Sequence, residues 1–92
     1  MKNELIEIDL NNIQSIEDFH RTVKLKLDFP DFYGMNWDAF WDSITSIVKM
    51  PKILKFKNQQ AFNEKFPRDS KILKKIITDF NSEIDNSKIL IE

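Results

Sequence analysis

The sequence predicts an α/β fold in which a small parallel sheet is covered by helices. Two observations carry that expectation: three short apolar runs at residues 5–10, 52–56 and 88–91, and helical apolar spacing in the segments between them, which places helices between successive strands. The resulting order is β-α-α-β-α-β.

The first run, Leu5-Ile6-Glu7-Ile8-Asp9-Leu10, is a strand whose apolar residues are too continuous to fix which face is buried. Ser15 then precedes Ile16, Phe19, Val23 and Leu27, and Asp18 follows it by three, so a capped helix is expected over about 16 to 27. Phe29-Pro30 ends it, since the residue before proline is pushed away from helical geometry. A loop runs through Gly34 and Met35 to Asn36, a good N-cap for a second helix reaching about residue 48. Met50-Pro51 breaks the chain, and a short second strand follows at 52–56. Residues 58–67 read as a loop with a helical turn around Ala61 to Lys65. Asp69 or Ser70 is the expected cap of a third helix, with Ile72, Leu73, Ile76, Ile77 and Phe80 on one side, and residues 88–91 form the last strand.

Composition narrows the function classes. Ninety-two residues suffice for one independently folding domain. The absence of cysteine excludes disulfides, thiol chemistry and cysteine-based metal sites. No run approaches the roughly 20 apolar residues of a membrane span, and the start MKNELIEIDL lacks the apolar core of a secretory leader, so the cytoplasm is the expected location. The net charge of −1 conceals a strong segregation: residues 1–48 sum to −5, residues 49–75 to +7 and residues 76–92 to −3. Partner chemistry therefore depends on the face presented.

The densest chemistry lies at residues 32–42, FYGMNWDAFWD, which hold five aromatics, the chain's only glycine and two aspartates. At about 100° per residue, Trp37, Phe40, Trp41, Ile44 and Val48 share one arc of the second helix, and Asp38, Asp42, Thr45 and Lys49 share another. The aromatic arc anchors the helix on the sheet, with Trp37 and Trp41 nearest the polar stripe. Asp38, in the first turn, is favoured by the helix dipole by about 0.3–1 kcal/mol. Asp42 is one turn too deep for most of that benefit, and it repels Asp38 by a few tenths of a kcal/mol. Such a stripe suits a cationic partner. Gly34, between large side chains just before the cap, is expected to have a positive φ or to allow close approach of a partner.

In this stretch the chain resembles the barstar-like inhibitors of secreted microbial ribonucleases. The motif is Pro30, then Phe32-Tyr33-Gly34, then Asn36-Trp37-Asp38-Ala39-Phe40-Trp41-Asp42, and the similarity continues through Thr45 and Met50-Pro51 to the last strand. The resemblance implies a single barstar-like domain over residues 1–92, with a three-stranded parallel sheet covered by helices and no enzymatic activity. It also implies the role of an immunity protein that blocks a secreted barnase-like ribonuclease, in a 1:1 complex, with the second helix and the loop before it. The free protein is expected to be a monomer needing no cofactor and binding neither nucleic acid nor membrane. Carried over by position, Asp42 would occupy the enzyme's phosphate site and Asp38 would answer a second basic region. Phe32, Tyr33, Gly34, Asn36, Trp37, Thr45 and Ser46 would fill the surrounding contact, and Asp79 would add an acid from the third helix. The chain differs from the usual pattern at Phe32, which lacks a tyrosine hydroxyl, at Ser46 in place of glycine, at Ile47 in place of an aromatic, and at Lys49 in place of an acid.

Two other classes compete. A hydrolase using Asp38 and Asp42 would need an apolar pocket to separate their acidities, and none is apparent on an exposed helix face. His20, alone, reads as a surface or half-buried helix residue, and no His/carboxylate cluster suggests a metal. The alternative to inhibition is a module that binds nucleic acid or protein through the basic 49–75 block. There Lys52, Lys55, Lys57, Arg68, Lys71, Lys74 and Lys75 surround Phe56, Phe62 and Phe66, phenylalanines whose spacing places them in the core.

Overall fold

Alternation along the strands decides where the sheet is buried. In the computed structural model, which describes residues 4–92, β1 (Leu5–Asp9) pairs in parallel with β2 (Ile53–Lys57), and β2 pairs in parallel with β3 (Lys88–Ile91). Residues 1–3, part of the segment assessed above for a leader, lie outside the described residues. In register, Ile6 meets Leu54 and Leu54 meets Ile89, while Ile8 meets Phe56. Ile8, Leu54, Phe56 and Ile89 are fully buried under the helices. The other face carries Leu5, Glu7, Ile53, Lys55, Lys88 and Leu90 and is largely open, with Lys55 paired to Glu7 at 3.8 Å. Parallel sheets are usually covered on both faces. Here the helices cover one, and the charged residues that alternate along β1 and β2 solvate the other.

Helix α1 (Ile16–Lys26) starts as its sequence predicts: Ser15 Oγ accepts from the Asp18 N–H at 3.0 Å. The reciprocal carboxylate accepts from the Gln14 N–H at 2.9 Å, one residue before the usual partner in a capping box. Its end is a Schellman motif, with the Phe29 N–H bonding the Lys24 carbonyl and Asp28 at φ 59° in the left-handed region. Phe19, His20 and Val23 are buried along its inner face. The half-buried surface expectation for His20 is thus corrected. Four residues beyond Ile16 and three before Val23, it falls on the apolar arc, and Tyr33 receives its polar atom there.

The segment expected to be an ambiguous loop is α3 (Gln59–Lys65), a seven-residue helix whose Phe62 is fully buried. Asn58 enters it in the left-handed region and ties it to the end of β1, donating from Nδ2 to Asp9 Oδ1 at 2.7 Å. Helix α4 (Pro67–Glu83) begins at a proline in the first turn and not at an Asp69 or Ser70 cap, which corrects that expectation. Ser70 is buried and turns inward to Asn63 and Gln59 of α3, while Asp69 reaches across to the second helix. Leu73, Ile77 and Phe80 supply the buried face of α4. Near its end, Asn81 accepts from the Ile89 N–H and donates to the Ile89 carbonyl, both at 2.8 Å, so its amide closes part of the outer edge of β3.

Candidate partner-binding surface

The loop from Pro30 to Asn36 is held from below. The Tyr33 N–H bonds the Pro30 carbonyl at 3.0 Å, its ring packs on Phe29 with centroids 4.7 Å apart, and its hydroxyl lies 2.6 Å from His20 Nδ1. Burial raises the Tyr33 phenol above its ordinary pKa, so the hydroxyl stays protonated. Burial also lowers the pKa of His20 below its ordinary value, against the opposing pull of the Asp69 carboxylate, and favours the neutral ring. Tyr33, at 6% exposure, is thereby an anchor of the loop; its side chain is not available to a partner surface. Phe32, next to it, points the other way and is 77% exposed.

Gly34 does not carry the positive φ expected of it. That conformation falls on Met35, at φ 57°. The reason for glycine is spatial: a Cβ at position 34 would lie 3.3 Å from both Ala39 Cβ and Asn36 Nδ2. One atom belongs to the N-cap residue and the other to the residue whose N–H it caps. Asn36 Oδ1 accepts from the Ala39 N–H at 2.7 Å while its Nδ2 donates to the Gly34 carbonyl at 3.2 Å, so one amide fastens the loop to the helix it starts.

Helix α2 (Trp37–Asp42) continues into a wider π turn at Ser43–Ile47, together filling the span expected for a single helix. Phe40 and Ile44 are buried, and Trp37, Trp41 and Val48 are partly so. The Trp37 ring lies edge-on to His20 with centroids 5.0 Å apart, and its Nε1–H donates to Asp69 Oδ1 at 2.9 Å, bracing α2 against α4. In the π turn Thr45 Oγ1 donates to the Trp41 carbonyl at 2.7 Å, supplying a donor where the helical ladder changes spacing.

The face left to solvent carries Asp38, Asp42 and Ser46, with Thr45 half-buried beside them. Neither Asp38 nor Asp42 has a hydrogen bond or ion pair among the described residues. Other acids nearby do: Asp69 takes the Trp37 indole, and Asp79 takes Lys75 at 3.2 Å. Asp38 and Asp79 line the same groove between α2 and α4, so the fold brings the α4 acid beside the α2 stripe. Trp41, which is not among the expected contact residues, also lines that groove, and its place next to the polar stripe on the helical wheel is the sequence signal for it.

The basic block is divided by the fold. Lys55 lies on the open sheet face, while Lys71 and Lys75 lie on α4. Phe56 and Phe62 are fully buried and Phe66 packs against the core, so this block has no exposed ring of its own on which a base could stack.

Comparison with known proteins gives this surface a context. The family model described as Barstar (barnase inhibitor) matches residues 3–92. The chain belongs to the barstar family. A Bacillus subtilis (strain 168) protein named "Putative ribonuclease inhibitor YrdF" is 39% identical over 88 residues, spanning 95% of this chain and 97% of the relative. A barstar-family chain is an inhibitor and not an enzyme. The three-stranded parallel sheet with its helices is the barstar-like α/β arrangement expected from the motif around Asn36 and Asp42. Among the described residues no helix is long and apolar enough to cross a membrane.

Proposed function

We propose that this barstar-family protein inhibits a secreted barnase-like ribonuclease in the cytoplasm of the cell that makes both, as an immunity protein acting in a 1:1 complex. Helix α2, the π turn and the loop before them cover the enzyme's active site. The observation that carries the reading is the pair of exposed carboxylates one helical turn apart, Asp38 and Asp42, without a partner among the described residues, on a helix capped by Asn36 and tied to α4 through Trp37. A ribonuclease must hold polyanionic RNA in a cationic cleft, and a carboxylate offers its arginines and lysines the charge-assisted hydrogen bonds that a phosphate would. Asp42 stands in for the substrate phosphate. Asp38 and Asp79 answer basic groups beside it, while Phe32, Asn36, Trp37, Thr45 and Ser46 exclude water around the charge pairs. Gly34 contributes by shaping the loop, and Tyr33 by anchoring it.

Because Tyr33, Trp37 and Asn36 fix the loop and helix before any partner arrives, little ordering is left to oppose association. The reading is tested by titrating barnase, with RNA as substrate, against the purified protein. Activity is expected to fall linearly to zero at one equivalent. Full activity at a large excess, with barnase and with the ribonucleases secreted by Bacillus subtilis, would refute it.

A further inference from the structure

The groove between α2 and α4 has a volume of about 530 Å³. Its apolar surface comes from Trp37 and Trp41 on one side and Ile72 and Ile76 on the other, and Ile72 is 37% exposed. Its charges are two acids, Asp38 and Asp79, and two lysines, Lys71 and Lys75. Lys75 is paired with Asp79 at 3.2 Å, a carboxylate with a second oxygen for the enzyme, and the proposed inhibition assigns Asp38 to a basic group of the enzyme. That leaves Lys71, which has no ion pair among the described residues, as the one uncommitted charge on an apolar groove.

Resting on the reading of the protein as a ribonuclease inhibitor, we propose that this groove is a second contact on the enzyme, receiving from the rim of its cleft an apolar side chain flanked by a carboxylate that pairs with Lys71. The apolar side chain lies between the indoles and the isoleucines, where it removes exposed apolar surface from water on both partners. The carboxylate meets the cation that would otherwise face a basic enzyme unpaired. Lys71 thereby disfavours ribonucleases whose rim is uniformly basic, and selection arises from repulsion as much as from attraction. The contact is continuous with the acidic stripe, because Asp38 borders both.

The groove can be read without the enzyme, because the chain's only two tryptophans line it and their indole N–H signals report occupancy. N-acetyl-phenylalanine and its uncharged amide, titrated into ¹⁵N-labelled protein, should both shift the Trp41 and Ile72 signals, the acid binding about threefold more tightly, as expected for one exposed charge pair. Lys71→Gln should erase that preference and leave the amide unaffected. Saturating barnase should then displace the acid. Absence of shifts at the groove, equal binding of acid and amide, or an acid that stays bound in a barnase complex sensitive to Asp42→Ala would each overturn the inference. Failure of barnase to form any complex would instead count against the inhibitor reading, and with it against the groove as an enzyme contact.

Discussion

Single residues in this protein divide sharply between those that hold the surface and those that face outward from it. Gly34 and Asn36 belong to the first group. Gly34→Val would drive branched carbons into the 3.3 Å contacts with Ala39 and the cap amide, and should cost about 1–2 kcal/mol, the scale of a lost N-cap. A lowered urea midpoint checks this. Asp28 makes the opposite case, since an exposed non-glycine residue holds φ 59° at the end of α1. Asp28→Gly should raise stability by about 0.5–1 kcal/mol without altering inhibition. His20 links stability to acidity. Its folded pKa is lowered, chiefly by burial, so between that value and the unfolded value of about 6.5 the unfolded chain binds the extra proton. Stability is therefore complete above about pH 6.5 and is lost as pH falls toward the folded value. The urea midpoint should drop between pH 7.5 and pH 5.5 in the wild type, and His20→Gln should flatten that drop.

At the scale of elements, much was legible because apolar spacing and caps agreed. Ser15 and Asn36 start α1 and α2 as their residue types require, and the three strands fall within one residue of the expected runs. Where the sequence misled, a tertiary partner outweighed a local signal. Ser70 resembles a cap but turns inward to α3, and Asp69 serves Trp37, so α4 starts earlier, at Pro67. Helix α3 is only seven residues long, enters through a left-handed Asn58 with no side-chain cap, and so carries little periodic pattern. The π turn has no residue code at all; only the Thr45 hydroxyl on the Trp41 carbonyl marks it. The candidate site followed the same division. Asp38, Asp42 and Phe32 were readable as exposed from the helical wheel and the motif, whereas the inward turn of Tyr33 depended on His20, thirteen residues away. Thr45→Val keeps the shape of the side chain and removes its donor, so it should destabilise the protein by about 1 kcal/mol and loosen the end of the binding surface. Faster amide exchange confined to residues 41–48 would register that loosening.

For the whole molecule the organising feature is its charge distribution. The half that contains α2 sums to −5, and the block that follows it, beginning at exposed Lys49, sums to +7. Long-range attraction toward a basic enzyme is partly cancelled, so association should respond only weakly to salt. Lys49→Glu should raise the association rate with barnase modestly at low salt and leave dissociation almost unchanged, as stopped-flow rates at two salt concentrations would reveal. Short-range inhibition rests elsewhere, on one carboxylate presented by a rigid helix. The central claim is tested most directly by comparing wild type and Asp42→Ala in a barnase inhibition titration, with the urea midpoint of each measured alongside. Asp42 is exposed, so the midpoint should not move, while inhibition weakens by more than 100-fold, about 3 kcal/mol, because the enzyme's cationic site is left desolvated and unpaired. Equal inhibition by the two proteins would contradict the account.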